Sequence, residues 1–211
     1  MTTLDGKTAR IGRIELPALI AAILGPIQVI TGFNLAQAFW PEFDWVHLTI
    51  SDLAADTAPT QVLMTSFFYV GGTLSIITAI WAKSFALPGR IAILLAGLAT
   101  YGLAFFKTSD LPGEGVPHRI FAIISFVLMS GWPLFAMRKN RAYPWILRPV
   151  WSIAGTVLLT IASLIFLASW RDPNATMTGV WERIIAVGQT WYMGFVIWAC
   201  WLAERKTKRL Q

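Results

Sequence analysis

The sequence predicts an all-α polytopic membrane protein, with six transmembrane helices in one bundle and both termini cytoplasmic. Of its 211 residues, 56% are hydrophobic and only 13% are charged. An average soluble domain carries about 25% charged residues, roughly twice this share. Six stretches of about 20 apolar residues use most of this length. We therefore expect residues 1–211 to form a single membrane domain, with no separate soluble catalytic domain.

Apolar runs bounded by charge, proline and glycine define the six predicted spans. The first follows Lys7, Arg10 and Arg13 and ends near a signal-peptidase-like sequence at 36–38. Because it is longer than the apolar core of a signal peptide, we expect it to be retained as a helix. The third is the shortest, yet residues 91–106 carry no charge and can cross with little tilt. The predicted spans are 14–39, 61–83, 90–106, 118–137, 150–170 and 180–203.

The charged residues predict the orientation. In a six-span topology, thirteen of the 17 Lys and Arg residues fall on the side of the termini. Positive residues favour the cytoplasmic side, so the protein is expected to be multi-pass in the inner (plasma) membrane with both termini inside. Eight of the 11 Asp and Glu residues, and both histidines, fall on the outer side. The outer surface is therefore predicted to be acidic.

Net charge and cysteine content limit the classes of partner and of metal site that we expect. The net charge of +6 comes from residues that flank apolar runs, where they act as topology signals. We therefore expect no nucleic-acid partner, and we expect membrane lipids and a membrane-protein partner subunit instead. A single cysteine, Cys200, excludes an intrachain disulfide framework and a zinc site with several thiolates. The sequence indicates no particular cofactor.

The first outer loop, residues 40–60, is the longest and carries His47, Ser51 and Asp52. Its apolar residues recur at helical spacing, which predicts a short helix lying in the membrane interface, with His47 and Ser51 on its polar face. The alternative is that Ser51 and Asp52 merely bind backbone amides. The apolar residues at this spacing are Val46, Ile50, Leu53 and Ala54.

Further ionisable residues lie at the outer ends of the fourth and sixth spans. Asp110 precedes a proline turn, and His118 and Arg119 open the fourth span directly after Pro117, a residue suited to a first helical turn. Ionisable groups inside a span usually face the bundle interior and mark function. Glu182 and Arg183 lie near the start of the sixth span. The structural alternative is that Glu182 forms an ion pair with Arg119 or Arg183 and so ties helix ends together.

Glu182 begins a stripe of polar residues along one face of the sixth span. Gln189 lies seven residues further on, on the same helix face and one to two turns deeper. We expect the two outer loops and the sixth span to converge on one pocket open to the outside, lined by His47 or Ser51, Asp110, His118 and Glu182.

A set of short sequence strings is spread from about residue 14 to residue 204, and their specificity lies in their order and spacing. The strings are TISDLA at 49–54, AP at 58–59, FFYVGG at 67–72, LPGR at 87–90, His118 after a loop rich in proline and glycine, WP at 132–133, PWILRP at 144–149, ER at 182–183, GQ at 188–189 and Trp191. Together they resemble domain-of-unknown-function family 998, a family of small six-helix bacterial membrane proteins.

This resemblance implies six helices, with the Ser51-Asp52 loop, the His118 segment and the Glu182-Arg183 pair on one side. It implies no activity. More remotely, Ser51, Asp52 and His118 resemble the polar cluster of the membrane hydrolases that include alkaline ceramidases. Those proteins carry a late pair of histidines, and no histidine follows His118 here. A three-histidine zinc site is therefore excluded within one chain.

Three functions fit these features. The first is a non-catalytic membrane protein with an outward-facing polar pocket that binds a lipid headgroup, a small molecule or a partner subunit. The second is an intramembrane hydrolase or transferase, dependent on a metal or on acid and base, that acts on a lipid-like substrate. The third is a small transporter.

The binding hypothesis and the catalytic hypothesis rest on the same small set of polar residues. The catalytic candidates are His47, Asp52, Asp110, His118 and Glu182, and the metal-ligand candidates are His47 and His118. The binding candidates are Ser51, Asp52, His118, Arg119, Glu182, Arg183 and Gln189.

Overall fold

The computed structural model describes residues 12–108 and 115–209, with side chains as far as residue 206. It confirms the all-α fold: this part of the chain contains six helices that are long and apolar enough to cross a membrane, and no strand beyond an isolated Ile14–Ala82 bridge. The helices are α1 Leu16–Ala38, α2 Gln61–Trp81, α3 Leu87–Phe105, α4 Val116–Ala136, α5 Pro149–Arg171 and α6 Thr178–Arg209.

Proline marks the start of four of these helices. A proline stands in the first turn of α1, α3, α4 and α5, where its fixed φ suits the helix and its missing N–H leaves no bond unmade. The position predicted for Pro117 is therefore confirmed.

The six helices form a closed ring in which each packs against its neighbours in sequence and α6 packs against α1. Glycine allows one of these contacts to be close. A Cβ atom added at Gly97 of α3 would lie 2.8 Å from the carbonyl oxygen of Gly72 on α2. Small residues at helix crossings let backbones approach each other in this way.

Two apolar clusters fill the bundle. The larger one contains residues of α1, α2, α3, α4 and α6, with the fully buried Trp132 stacked on Phe85 at a centroid distance of 5.1 Å. The smaller one joins α1 and α2 to the loop between them through Phe33, Leu53 and Met64. We call the end of the bundle that holds this loop the Ser51 end, and the opposite end the Glu204 end.

The loop 40–60 differs from the interfacial helix that we expected. Its helical content is one 3-10 turn, Asp52–Ala54, and His47 and Ser51 do not share a helix face. Ile50, Leu53 and Ala54 are buried in the smaller cluster, because they gain more by packing on α1 and α2 than by lying in the interface. The loop therefore folds down onto the bundle.

Candidate functional site

A cavity of about 1090 Å³ begins under loop 40–60 and runs between α4 and α5. Its lining extends along α4 from Val116 to Phe135, about 29 Å at 1.5 Å per residue. The ionisable and hydroxyl groups at the Ser51 end of the lining are His47, Thr49, Ser51, Asp52, Thr108, His118, Arg119, Asp172, Thr178 and Glu182.

The rest of the cavity wall is mainly apolar. Four of its large apolar side chains, Ile123, Val127, Phe135 and Leu164, are also exposed on the surface of the bundle. The cavity is therefore a groove that opens sideways between α4 and α5. Its other apolar lining residues include Ala122, Phe126, Leu128, Leu134, Phe166, Leu167 and Trp170.

Ser51 and His118 are in direct contact at the polar end of this groove. The Ser51 Oγ lies 3.0 Å from the His118 Nε2, and the His118 Nδ1 lies 2.8 Å from the carbonyl oxygen of Phe106. His118 is 3% exposed, because the first turn of α4 packs beside the end of α3. The loop 40–60 brings Ser51 to it across 67 residues of sequence.

Glu182 holds the loop in this position. Its carboxylate accepts a hydrogen bond from the Ile50 amide and lies 3.5 Å from the Ser51 Oγ. Among the described residues, no ion pair joins Glu182 to Arg119 or Arg183. The pairing considered from sequence is therefore wrong, since the backbone and the hydroxyl of the loop take the place of an arginine.

Arg183 faces away from the groove and binds the same loop from another side. Its Nη1 donates to the carbonyl oxygens of Trp45 and Leu48, each at 3.1 Å, and to that of Gly179 at 2.8 Å. Its Nε and Nη2 are buried and have no hydrogen-bond partner within the described part of the chain. The rings of Phe33 and Phe43 lie 5.4 and 5.8 Å from the guanidinium carbon, within reach of a cation–π interaction.

Asp52 and His47 have local partners at the rim. The Asp52 carboxylate accepts hydrogen bonds from the Thr49 amide and hydroxyl at 2.7 and 2.8 Å. The exposed His47 Nδ1 lies 2.6 Å from the Asp44 carboxylate. Partial desolvation would raise the pKa of Asp44, but hydrogen bonds from the His47 ring and from the Val46 and His47 amides lower it below its ordinary value.

Gln189 lies behind the groove wall. Its Nε2 donates to the carbonyl oxygen of Phe126 and to the Ser130 Oγ, both at 3.1 Å. Ser130 also lies 2.8 Å from Ser163 on α5, and both of these serines line the groove. Gln189 therefore joins α6 to α4 and contacts the groove lining through Ser130, whereas Glu182, the other member of the predicted polar stripe, lines the groove itself.

The structure brings together six residues of the predicted site and separates others. The six that line the groove are His47, Ser51, Asp52, His118, Arg119 and Glu182. Arg183 and Gln189 are outside its lining, and Asp110 lies outside the described residues. Across the described ranges, no three His, Cys, Asp or Glu side chains come together as metal ligands. A metal site based on His47 and His118 is therefore not assembled from them.

Sequence reasoning missed the apolar half of the site and the partner of the His118 ring. Phe126, Phe166 and Trp170 line the groove, but an apolar residue facing a groove has the same sequence signal as one facing lipid. The Phe106 carbonyl has no side-chain signal at all. Thr49 was identifiable, since it stands three residues before Asp52 in a turn-forming segment.

No curated protein and no solved structure matches this sequence. The sequence model of one family, described as "Protein of unknown function (DUF998)", matches residues 23–201, from α1 into α6. This is the family whose strings were identified in the sequence. The chain therefore belongs to the family of unknown function DUF998.

Proposed function

We propose that this membrane protein binds an amphiphilic, lipid-like molecule, with its headgroup at the Ser51 end and its apolar chain in the groove between α4 and α5. One observation carries the proposal. The ionisable side chains of the groove are confined to the Ser51 end, and the wall beyond them is mainly apolar and opens sideways. An amphiphile in a bilayer has the same separation of polar and apolar parts.

The depth of the polar groups supports the proposal. His118 and Arg119 lie in the first turn of α4, and Glu182 lies near the start of α6. Helix ends sit at the level of lipid headgroups, whereas charged groups deeper in a span are costly. The apolar chain would then lie at the depth of the lipid tails.

The chemistry of the polar end indicates the kind of headgroup. The Ser51 hydroxyl hydrogen is directed to the His118 ring, and the hydrogen of the neutral ring is directed to the Phe106 carbonyl, so the exposed Arg119 supplies the donors and the positive charge that face a headgroup. Asp52 and Glu182 are largely occupied by the backbone of loop 40–60. The end therefore favours a headgroup with oxygen acceptors over a cationic one.

A matched pair of glycine substitutions tests binding. Gly131 lines the groove, and an added Cβ atom there meets first the flexible ring of Phe135 at 3.3 Å. Gly188 on α6 lies outside the groove lining, and an added Cβ atom there meets no atom of residues 12–108 or 115–209 within 4 Å. Gly131→Leu should fill the groove, whereas Gly188→Leu should leave it open.

The measurement is the fluorescence of a dansyl-labelled long-chain fatty acid titrated into the protein in amphipol. We expect Gly131→Leu to weaken binding about tenfold, or about 1.4 kcal/mol, and Gly188→Leu to bind like the unaltered protein. Equal binding by all three proteins, with equal melting temperatures, would refute the proposal. Capture of a protein subunit at the Ser51 end, with no fatty-acid binding, would favour the partner-binding alternative instead.

A further inference from the structure

We propose that Ser51 and His118 form a nucleophile and general base that cleave a carboxylic ester of the bound amphiphile through an acyl-Ser51 intermediate. The choice of substrate rests on the proposed function, but the reactivity of Ser51 does not. The structure supplies three supports: the contact between the two side chains, the orientation of the imidazole ring, and the place of the pair in the groove.

The hydrogen bonds of His118 determine which ring nitrogen can act as the base. The Phe106 carbonyl oxygen can only accept a hydrogen bond, so the Nδ1 beside it at 2.8 Å carries the hydrogen. In the neutral ring the Nε2 is then unprotonated. It lies 3.0 Å from the Ser51 Oγ and accepts the hydroxyl hydrogen. A base oriented by a third group and in contact with a hydroxyl is the arrangement of an activated nucleophile.

Glu182 is a positioning residue for Ser51. It accepts the amide hydrogen of Ile50, the residue before Ser51, and so fixes the backbone from which the hydroxyl projects. The Glu182 Oε1 lies 3.5 Å from the Ser51 Oγ, farther than the His118 Nε2 at 3.0 Å. The hydroxyl hydrogen is therefore directed to the histidine, because hydrogen bonds weaken with distance.

The pair lies where the polar and apolar parts of the groove meet. His118 is in the first turn of α4, and the apolar wall begins at Ala122, one turn deeper. The ester groups of a lipid-like molecule lie between its headgroup and its chain. An amphiphile bound as proposed would therefore place an ester carbonyl beside Ser51.

Besides the ester, water is the single reactant that this reaction consumes. The Ser51 Oγ forms a bond to the ester carbon as its proton moves to the His118 Nε2. The bond from that carbon to the alcohol oxygen then breaks, and the proton passes to the departing alcohol. Water next attacks the acyl-Ser51 carbon, giving a proton to the Nε2. The bond to the Ser51 Oγ breaks, the Oγ regains the proton, and a carboxylic acid leaves.

Fluorophosphonate probes test the reactivity of Ser51 directly, because they phosphonylate activated serines with release of fluoride. One probe carries a long alkyl chain and the other a short one. Three variants are compared with the unaltered protein. Ser51→Ala removes the nucleophile, and His118→Asn keeps a donor near the Nδ1 position while removing the Nε2. Ser66→Ala is the control, since this serine lies on α2, away from the groove, and donates to the Val62 carbonyl.

We expect a phosphonyl adduct on the Ser51 peptide, located by mass spectrometry, in the unaltered protein and in Ser66→Ala. The rate of labelling should fall at least about a hundredfold in His118→Asn, as expected for loss of a general base, and the adduct should be absent in Ser51→Ala. Melting temperatures measured on the same samples identify any variant that fails to fold. A folded His118→Asn protein that labels at the unaltered rate would overturn the assignment of the base.

The two probes separate the two proposals. Labelling of Ser51 by the short probe but not by the long one would support the nucleophile and refute binding of an amphiphilic chain. Binding of the dansyl fatty acid with no labelling of Ser51 by either probe would refute the nucleophile and leave the binding proposal standing. Release of alcohol from a long-chain ester, lost in both Ser51→Ala and His118→Asn, would support both.

Discussion

At the scale of the residue, Glu182 and Arg183 show how two adjacent charges on one helix serve different purposes. Successive residues of an α-helix point about 100° apart. Glu182 therefore reaches the groove and the Ile50 amide, while Arg183 reaches the carbonyl oxygens of Trp45 and Leu48. The two side chains bind the same loop from two sides. Both are buried, at 5% and 8% exposure.

We predict that Arg183→Ala destabilises the protein more than a comparable surface change. Three carbonyl oxygens lose their shared donor, and two aromatic rings lose the guanidinium beside them. A buried polar group left without a partner costs about 1–3 kcal/mol. We therefore expect the free energy of unfolding to fall by about 2–4 kcal/mol. Chemical unfolding in detergent micelles measures it.

Arg171, exposed in the last turn of α5 at the same end of the bundle, is the matched control. Arg171→Ala should cost less than about 1 kcal/mol, the size of a helix-dipole interaction at the surface. Equal losses in the two variants would mean that the hydrogen bonds of Arg183 contribute nothing to stability.

At the scale of the element, the Glu204 end is closed by side chains that tie segments distant in sequence. Glu204 of α6 accepts from the Ile14 amide at 3.0 Å and from the Ser84 hydroxyl. Arg138, just after α4, donates to the carbonyl oxygens of Ser84 and Phe85 at 3.0 and 2.8 Å. The segment before α1, the α2–α3 loop and the end of α4 are thereby held to α6.

We predict that Glu204 and Ser84 stabilise the protein as a coupled pair. Glu204→Ala leaves the Ile14 amide without its acceptor and removes one of the two acceptors beside the Ser84 hydroxyl, the other being the Gly12 carbonyl oxygen at 2.9 Å. It should therefore lower the free energy of unfolding by about 1–3 kcal/mol. Ser84→Ala should cost less, and the double variant should cost less than the sum of both, with a coupling of about 0.5–3 kcal/mol.

Glu15 provides the comparison for this cycle. Its ion pair with Lys83 is at the same end, but the two side chains are 39% and 50% exposed. Glu15→Ala should therefore cost about 1 kcal/mol or less, since exposed ion pairs are screened by solvent. Strict additivity of Glu204→Ala and Ser84→Ala would contradict the predicted coupling.

At the scale of the whole molecule, the ring of six helices separates two chemically different ends. Among the described residues, the Ser51 end holds the groove mouth and most acidic residues, and the Glu204 end holds most of the basic ones. The start of α1 and the end of α6 lie together at the Glu204 end, where the Ile14 amide donates to Glu204. The excess of Lys and Arg at the Glu204 end predicts that this side is the cytoplasm.

Cysteine labelling in intact cells tests this orientation. Native Cys200 is fully buried and is first replaced by alanine. Thr57→Cys, in the exposed part of loop 40–60, should react with an impermeant maleimide without permeabilisation. Asn140→Cys, exposed between α4 and α5, should react only after the membrane has been permeabilised. The reverse pattern would place the groove mouth in the cytoplasm and refute the predicted topology.

The sequence by itself determined the six helices, their approximate ends and the family. A membrane span needs a long apolar run whatever its neighbours are, because backbone groups in lipid must be satisfied within the helix. The prolines at 17, 88, 117 and 149 mark helix starts for an equally local reason. Ser51, His118 and Glu182 were also identifiable as site candidates, because polar groups within or beside a span usually face the bundle interior or a cavity.

Only the tertiary structure decided what these residues contact. The loop 40–60 packs on α1 and α2 instead of forming an interfacial helix, because burial of Ile50 and Leu53 outweighs local helical spacing. The same packing brings Ser51 to His118, while the ring of the histidine is oriented by a backbone carbonyl that no sequence pattern marks. The groove between α4 and α5 was equally hidden, since an apolar side chain facing a groove, a helix or lipid is the same residue in sequence.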